Sequence, residues 1–307
     1  MLGNIIKKQA APQIIRQSNL LTEALRGSMG RAAGAPVSEG ERFRMSGIHK
    51  LCPRMYALAL RDGVTLSDEV KPDLMWTFGV GTAYHTQFQE DWLRALGKVF
   101  QGWWRCKKCS HVHKGEAMEG PLSRKWRPCP DSCEDFWDDE GPCEGKEFEY
   151  VELEFVWPEY RLSGHCDGVL DWSAAEGDLK QDRVEVLELK TINTRGFDYV
   201  NPAEGGKPKA DHVAQAHGYL WGTGLEDVRI VYIKKSDEAM GKVVCEHEVR
   251  RDESIIDDMK AMLVSTMDAL KDVSGGKDAP VRLPICKKKS DKRAKYCSMK
   301  AACFAKC

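Results

Sequence analysis

The sequence predicts an α/β fold in which helices flank a central mixed sheet, interrupted by a small metal-binding insertion. Three observations carry this expectation. Apolar alternation of strand type runs through Phe148 to Trp157, through a hairpin from Phe155 to Cys166 that turns near Pro158-Glu159, and through Val184 to Lys190; it returns near Val228 to Lys234 and Val243 to Val249. Helical spacing of apolar residues occupies Ser46 to Leu60, Leu74 to Leu96, His212 to Trp221 and Ser254 to Leu270, so helices and strands interleave. The twelve cysteines are not scattered: five lie between Cys106 and Cys143, and four between Cys286 and Cys307.

Residues 1–45 read as an N-terminal helix (Gln13 to Arg26) and a linker rich in Gly, Ala, Ser and Pro. Residues 46–100 form the N-terminal helical part of the main domain and 101–147 the cysteine-rich insertion. The sheet-bearing core spans 148–273, and 274–307 is a basic, cysteine-bearing tail. No internal repeat is visible.

A chain of 307 residues has ample length for a core, and a net charge of −1 neither favours nor excludes a polyanionic partner. There is no apolar run of the ~18 residues a membrane span needs, so no membrane partner is expected. Met1 to Lys8 lacks the apolar core of a secretory peptide, so a cytoplasmic location is expected. Thiols stay reduced there, so the cysteines argue for metal ligation rather than disulfides.

The chemistry concentrates in two stretches, Gly164-His165-Cys166-Asp167-Gly168 and Leu187-Glu188-Leu189-Lys190. In a strand, residues i and i+2 share a face, so Glu188 and Lys190 point the same way, and Asp167 can sit on a neighbouring strand about 5 Å across. Two carboxylates and an ammonium converging this way suit a hard divalent cation and a water that it activates. Glu-x-Lys alone equally describes a surface ion pair. His85, within Gly79-Val80-Gly81-Thr82-Ala83-Tyr84-His85, reads alone as a packed helical histidine. Gln215 and Tyr219, at i and i+4, share a helical face that could be merely half-buried.

Taken in order, His85, Asp167, Glu188-x-Lys190 and Gln215-x3-Tyr219, flanked by Cys52 before and Cys286, Cys297 and Cys303 after, resemble the PD-(D/E)XK nuclease superfamily. The likeness is to its RecB-like branch, with the CRISPR-associated adaptation exonucleases and AddB-type iron–sulfur nucleases. It implies a restriction-endonuclease-like sheet and a metal-dependent deoxyribonuclease, a hydrolase of phosphodiester bonds. His85, Asp167, Glu188 and the Leu189 carbonyl would hold Mg²⁺ or Mn²⁺. Lys190 would activate the attacking water, and Gln215 and Tyr219 would position the substrate strand and support the lysine. The resemblance further implies a C-terminal iron–sulfur region holding a 4Fe–4S cluster on Cys52, Cys286, Cys297 and Cys303. Cys286-x10-Cys297 departs from the branch's short gap, which leaves Cys307 as a rival to Cys286; zinc on the same ligands and unligated cysteine are the alternatives.

The insertion stands on its own spacing. Cys106-x2-Cys109 is a tight knuckle, and Cys129-x3-Cys133 or Cys143 can supply the other half of a zinc-ribbon-like Zn²⁺ site, with His111 and His113 as further candidates. Trp103, Trp104, Arg105, Lys107 and Lys108 mix aromatic and basic character, which suits either stacking on a single strand or packing around the ribbon. Lys287, Lys288, Lys289, Lys292, Arg293 and Lys295 form a basic run that is either a solvated face or a phosphate contact.

The expected function is therefore an exonuclease on single-stranded DNA or DNA ends, in recombination, repair or mobile-element DNA processing. No phosphate-binding Gly-Lys-Ser/Thr loop is present, so unwinding would need a helicase partner; a recombinase or single-strand-binding protein is another candidate. The alternative is a catalytically silent nucleic-acid-binding or assembly protein on the same fold.

Overall fold

The computed structural model describes residues 34–66, 70–133, 137–138, 141–236 and 240–305; the expected helix at Gln13 to Arg26 and the rival ligand Cys307 lie outside them. The strands that position the site are β1 (Phe100–Cys106), β2 (Phe148–Val151), β3 (Leu153–Trp157), β4 (Leu162–Cys166), β5 (Gly168–Asp171), β6 (Val184–Ile192), β7 (Asp227–Lys234) and β8 (Val244–Arg250). The helices that cover them are α1 (Pro53–Arg61), α2 (Pro72–Gln87), α3 (Ala210–Thr223) and α4 (Glu253–Ser274). The fold is mixed α/β around a mixed sheet. β6 runs parallel to β7 and antiparallel to β5, β8 pairs antiparallel with β7, and β5 continues onto β1. None of the helices among the described residues is long and apolar enough to cross a membrane.

β6 reads Val-Glu-Val-Leu-Glu-Leu-Lys-Thr-Ile, and its two faces enter different cores. Val186 and Ile192 join Val228, Ile230 and Tyr232 of β7 beneath Tyr219 and Leu220 of α3 and Ile256 and Leu263 of α4. Leu187 and Leu189 join Val231 and Ile233 against Phe100, Trp104, Phe148 and Tyr150. A strand buried on both sides explains why its apolar run is nearly continuous.

β1 opens the cysteine-rich segment, yet it lies in the central sheet: Leu170 pairs with Phe100, and Trp104 pairs with Tyr150 of β2. Trp103 and Trp104 are consequently buried, their indole N–H groups donating to the carbonyls of Lys125 and Arg127 at 3.0 Å. They are packing residues and have no face free for stacking on a nucleic-acid strand, which selects packing from the two readings the sequence left open.

Two bends fall side by side. β2 and β3 are one run broken at Glu152, β2 pairing with β1 and β3 with β4. β4 and β5 are one run broken at Asp167. The second bend needs glycine. Gly168 adopts φ +148°, and a Cβ there would meet the Phe100 ring at 2.6 Å. Leu153 pairs with Cys166, so the next position in register sets Glu152 opposite Asp167.

Candidate active site

The sheet splits where these bends occur. Gly168 is the residue of β5 paired with Leu187, after which β4 turns away from β6. The Leu189 N–H, two residues on, has no strand partner on that side and donates instead to Asp167 Oδ2 at 2.7 Å. Glu188 and Lys190 project beside the gap. His85, two residues from the end of the exposed helix α2, reaches it with Nδ1 3.2 Å from Asp167 Oδ1.

His85, Glu152 and Asp167 each present a ligand atom, all within 4.8 Å of one another. Glu188 is buried and ion-paired with Lys190, and its Oε2 has no hydrogen-bond partner. Lys190 Nζ also donates to Gln215 Oε1 at 3.1 Å, and Gln215 Nε2 donates to the Tyr219 hydroxyl at 3.0 Å. His85, Asp167, Glu188, Lys190, Gln215 and Tyr219 thus lie in one cluster, with the Leu189 N–H bonded to Asp167, where the carbonyl of Leu189 was the expected ligand. His165, left out of the expected set, points away and is exposed.

Burial and mutual charge set the protonation of the cluster. Burial pushes Glu152 up to about 7, with the Asp167 carboxylate adding to the rise. Glu188 is raised for the same first reason, against the pull of Lys190. Burial would lower Lys190, but Glu188 and Asp167 outweigh it and hold the ammonium charged. His85 follows the same pattern: burial lowers it, and the bond to Asp167 and its charge raise it on balance. Like charges opposed in register are destabilising unless something positive lies between them. A hard cation between His85, Glu152 and Asp167 meets that need; Glu188 lies outside that group of three.

Two members of the site were not foreseen. Glu152 carried a signal, because inward alternation through Phe148 and Tyr150 lands on it before the phase shifts to Leu153, Phe155 and Trp157. Gln89 carried none. It is buried, and its amide donates to the Asp167 carbonyl at 3.1 Å and to Oδ1 at 3.4 Å, fixing the carboxylate.

The cysteines form two sites of different width. Cys106, Cys109, Cys133 and Cys143 bring their sulfurs within 4.8 Å, with Cys106 to Cys143 at 3.7 Å and Cys109 to Cys133 at 3.5 Å. Four thiolates about 2.3 Å from a tetrahedral centre stand about 3.8 Å apart, so the set fits one metal ion. Cys129, the fifth candidate, is outside the group and its thiol is pushed up by burial. Burial would raise Cys106, yet hydrogen bonds from the backbone at Cys109 and Lys108 bring it down to about 7, whereas burial and the neighbouring thiols push Cys133 and Cys143 up.

The tight four-cysteine group is therefore central in the chain, within the insertion expected to hold zinc, and not in the C-terminal region where a cluster was also expected. The C-terminal set is looser. Cys52, Cys286, Cys297 and Cys303 line one cavity of about 720 Å³ without forming such a group. Arg54 ties this tail to α1 by donating to the carbonyls of Ala279 and Pro280, and Arg293 donates to that of Leu51.

No family model matches the chain, and no curated protein matches it. Among solved structures, it is similar to the alkaline exonuclease LHK-Exo from Laribacter hongkongensis, at 12% identity and a TM-score of 0.43, over 82% of this chain and 95% of that one. It is also similar to a phage-related exonuclease from Haemophilus somnus 129PT, at 10% identity and TM-score 0.34, over 77% and 96%. A third similar structure, SSO0001, has 13% identity and TM-score 0.34 over 94% and 98%.

Proposed function

We propose that the chain is a metal-dependent deoxyribonuclease of PD-(D/E)XK type and RecB-like character, acting on single-stranded DNA or DNA ends. The observation that carries this reading is the junction of His85, Glu152 and Asp167 with the buried chain Glu188–Lys190–Gln215–Tyr219. An ion pair kept merely for stability would have both glutamate oxygens satisfied; here one is bare.

In this reading His85, Glu152, Asp167 and Glu188, with the Leu189 carbonyl, hold Mg²⁺ or Mn²⁺. The cation, when bound, polarises a phosphoryl oxygen and acidifies a water. Lys190 orients that water and meets negative charge as it develops on the phosphate. Gln215 fixes the Lys190 ammonium, and Tyr219 fixes the Gln215 amide. Gln89 and the Leu189 N–H hold Asp167 in place. The central thiolates would bind structural Zn²⁺. The wider cavity of Cys52, Cys286, Cys297 and Cys303 suits a 4Fe–4S cluster, which places iron and sulfide between its thiolates. The exposed Lys287, Lys288, Lys289, Lys292 and Lys295 beside that cavity offer phosphate contacts. Repair, recombination or mobile-element processing with a helicase or recombinase partner is the setting that this chemistry serves.

The test is cleavage of end-labelled single-stranded and duplex DNA with Mg²⁺ or Mn²⁺. The wild-type chain is expected to cut, and Lys190→Ala and Asp167→Ala are expected to bind without cutting. Full hydrolysis by either purified variant would sink the assignment. A brown preparation absorbing near 400 nm supports the cluster, whereas a colourless anaerobic preparation with zinc at both cysteine sites excludes it.

A further inference from the structure

α2 turns large apolar side chains to solvent. None of its residues is buried, and Leu74 and Phe78 are exposed large apolar side chains, Phe78 at 50%. Leu74, Phe78, Gly81 and His85 recur at i, i+4, i+7 and i+11, so they share one face of the helix. That face is the wall of a cleft of about 420 Å³, lined by Phe78, Gly81, Thr82, His85, Glu152 and Lys235 among others. The aromatic ring, the ammonium and the metal-ligand cluster therefore share one open space.

The floor between ring and ligands is kept low. A Cβ on Gly81 would come within 3.1 Å of Thr191 Oγ1 and 3.9 Å of Lys235 Nζ, so any side chain there intrudes into the cleft. Lys235 is anchored at its edge, Nζ donating to the Thr77 carbonyl at 3.1 Å. Seven residues separate Phe78 from His85, about 10 Å at 1.5 Å per residue. A strand whose phosphate sits at His85 would carry a neighbouring base to the Phe78 ring, with Lys235 beside the intervening backbone.

We propose that Phe78 is a stacking platform for an unpaired base, so that the cleft takes single-stranded or frayed DNA. This deepens the nuclease reading and rests on it for the position of the scissile phosphate. Aromatic stacking on bases tolerates any sequence because every base has a π-face, and it is denied to a base still paired within a duplex. Trp76 is more exposed than Phe78, at 63%, but lies two residues away on the other side of the helix and serves as the control.

The test is anisotropy of the full-length chain with labelled oligodeoxythymidylate and with an abasic strand of equal length, without added divalent cation, so that binding is read apart from cleavage. Wild type is expected to prefer the base-bearing strand by roughly tenfold, the value of one stacked base. Phe78→Ala removes most of that preference and leaves affinity for the abasic strand unchanged; Phe78→Trp keeps it, and Trp76→Ala does not touch it. Equal affinity of wild type for both strands overturns the proposal, as does a preference that survives Phe78→Ala. A Phe78→Ala change that weakens both strands alike, or alters the oligomeric state, gives this face to protein packing and overturns it too. A chain that shows the preference but never cleaves refutes the nuclease reading alone; a chain that cleaves with no preference refutes the stacking role alone.

Discussion

Glu185 and Glu188 stand three residues apart on β6, on opposite faces of the sheet, and both are sealed from solvent. Glu185 is saturated. Its Oε1 accepts from Arg229 Nε at 2.6 Å and Trp172 Nε1 at 2.7 Å, and Arg183 meets its Oε2 at 2.8 Å. Glu188 has Lys190 on one oxygen and nothing on the other. Burial of a charge is costly in both places, but only at Glu185 does the fold itself offset the cost. The difference separates a carboxylate that holds the sheet together from one that waits for a ligand.

Mutation should split the two glutamates cleanly. Glu188→Gln and Lys190→Ala are expected to lower DNA cleavage by about 10³-fold or more, the scale seen when a group stabilising transition-state charge is lost. Lys190→Ala, which strips the buried Glu188 of its partner, should also lower the denaturation midpoint, whereas that of Glu188→Gln should stay level or rise, because a poorly satisfied charge has gone. Glu185→Gln should do the reverse. Stripping one partner from a buried pair costs about 3–5 kcal/mol, with activity per folded molecule kept. Cleavage assays beside urea titrations of the same preparations decide it; a Glu188→Gln protein destabilised as much as Glu185→Gln would make Glu188 structural.

How legible this was depended on the kind of signal. β6 announced itself because charges inside an apolar strand are conspicuous, and the helix-borne His85, Gln215 and Tyr219 became informative only as an ordered set around it. Glu152 was harder, since its mark is a change of alternation phase, which arises from a bend that only the pairing of β2 with β1 and β3 with β4 defines. Gln89 was invisible: a glutamine in a helix says nothing until Asp167 is placed against it. The same limit governed the cysteines. Spacing named five candidates for the central site, and only the folded positions show that Cys129 stands outside the group of four. Trp103 and Trp104 stayed ambiguous because aromatic and basic residues in series look alike on a binding face and on a strand that joins the core.

Glu152 sharpens the comparison through pH. Its folded-state value of about 7 lies above the ordinary 4.5, so the folded protein holds the proton more tightly than the unfolded chain. Stability from this group is complete below about pH 4.5 and is lost as pH rises through 7, by up to about 3 kcal/mol over that span. Glu152→Gln should therefore be progressively more stable than wild type as metal-free protein is taken from pH 5 to pH 8. Mn²⁺ at about 100 times its Kd should return about 2.7 kcal/mol to wild type and less to the variant. A constant difference between the two proteins across that range would show that neither burial nor Asp167 raises Glu152.

The smallest effects belong to the relay behind Lys190, and their ranking tests whether it is a relay at all. Gln215 accepts from Lys190 with its oxygen and donates to Tyr219 with its nitrogen, so the hydroxyl fixes which way the amide faces. Gln215→Ala leaves the ammonium tethered only by Glu188, and misplacing a reacting group in this way costs about 10²-fold. Tyr219→Phe deletes one neutral hydrogen bond, worth about 1 kcal/mol or about fivefold in rate, because the amide can then turn. In the double variant the second loss should vanish, since the hydroxyl has no amide left to orient. Losses that multiply instead would mean that Tyr219 acts on the substrate strand directly, and single-turnover rates on one oligonucleotide separate the two outcomes.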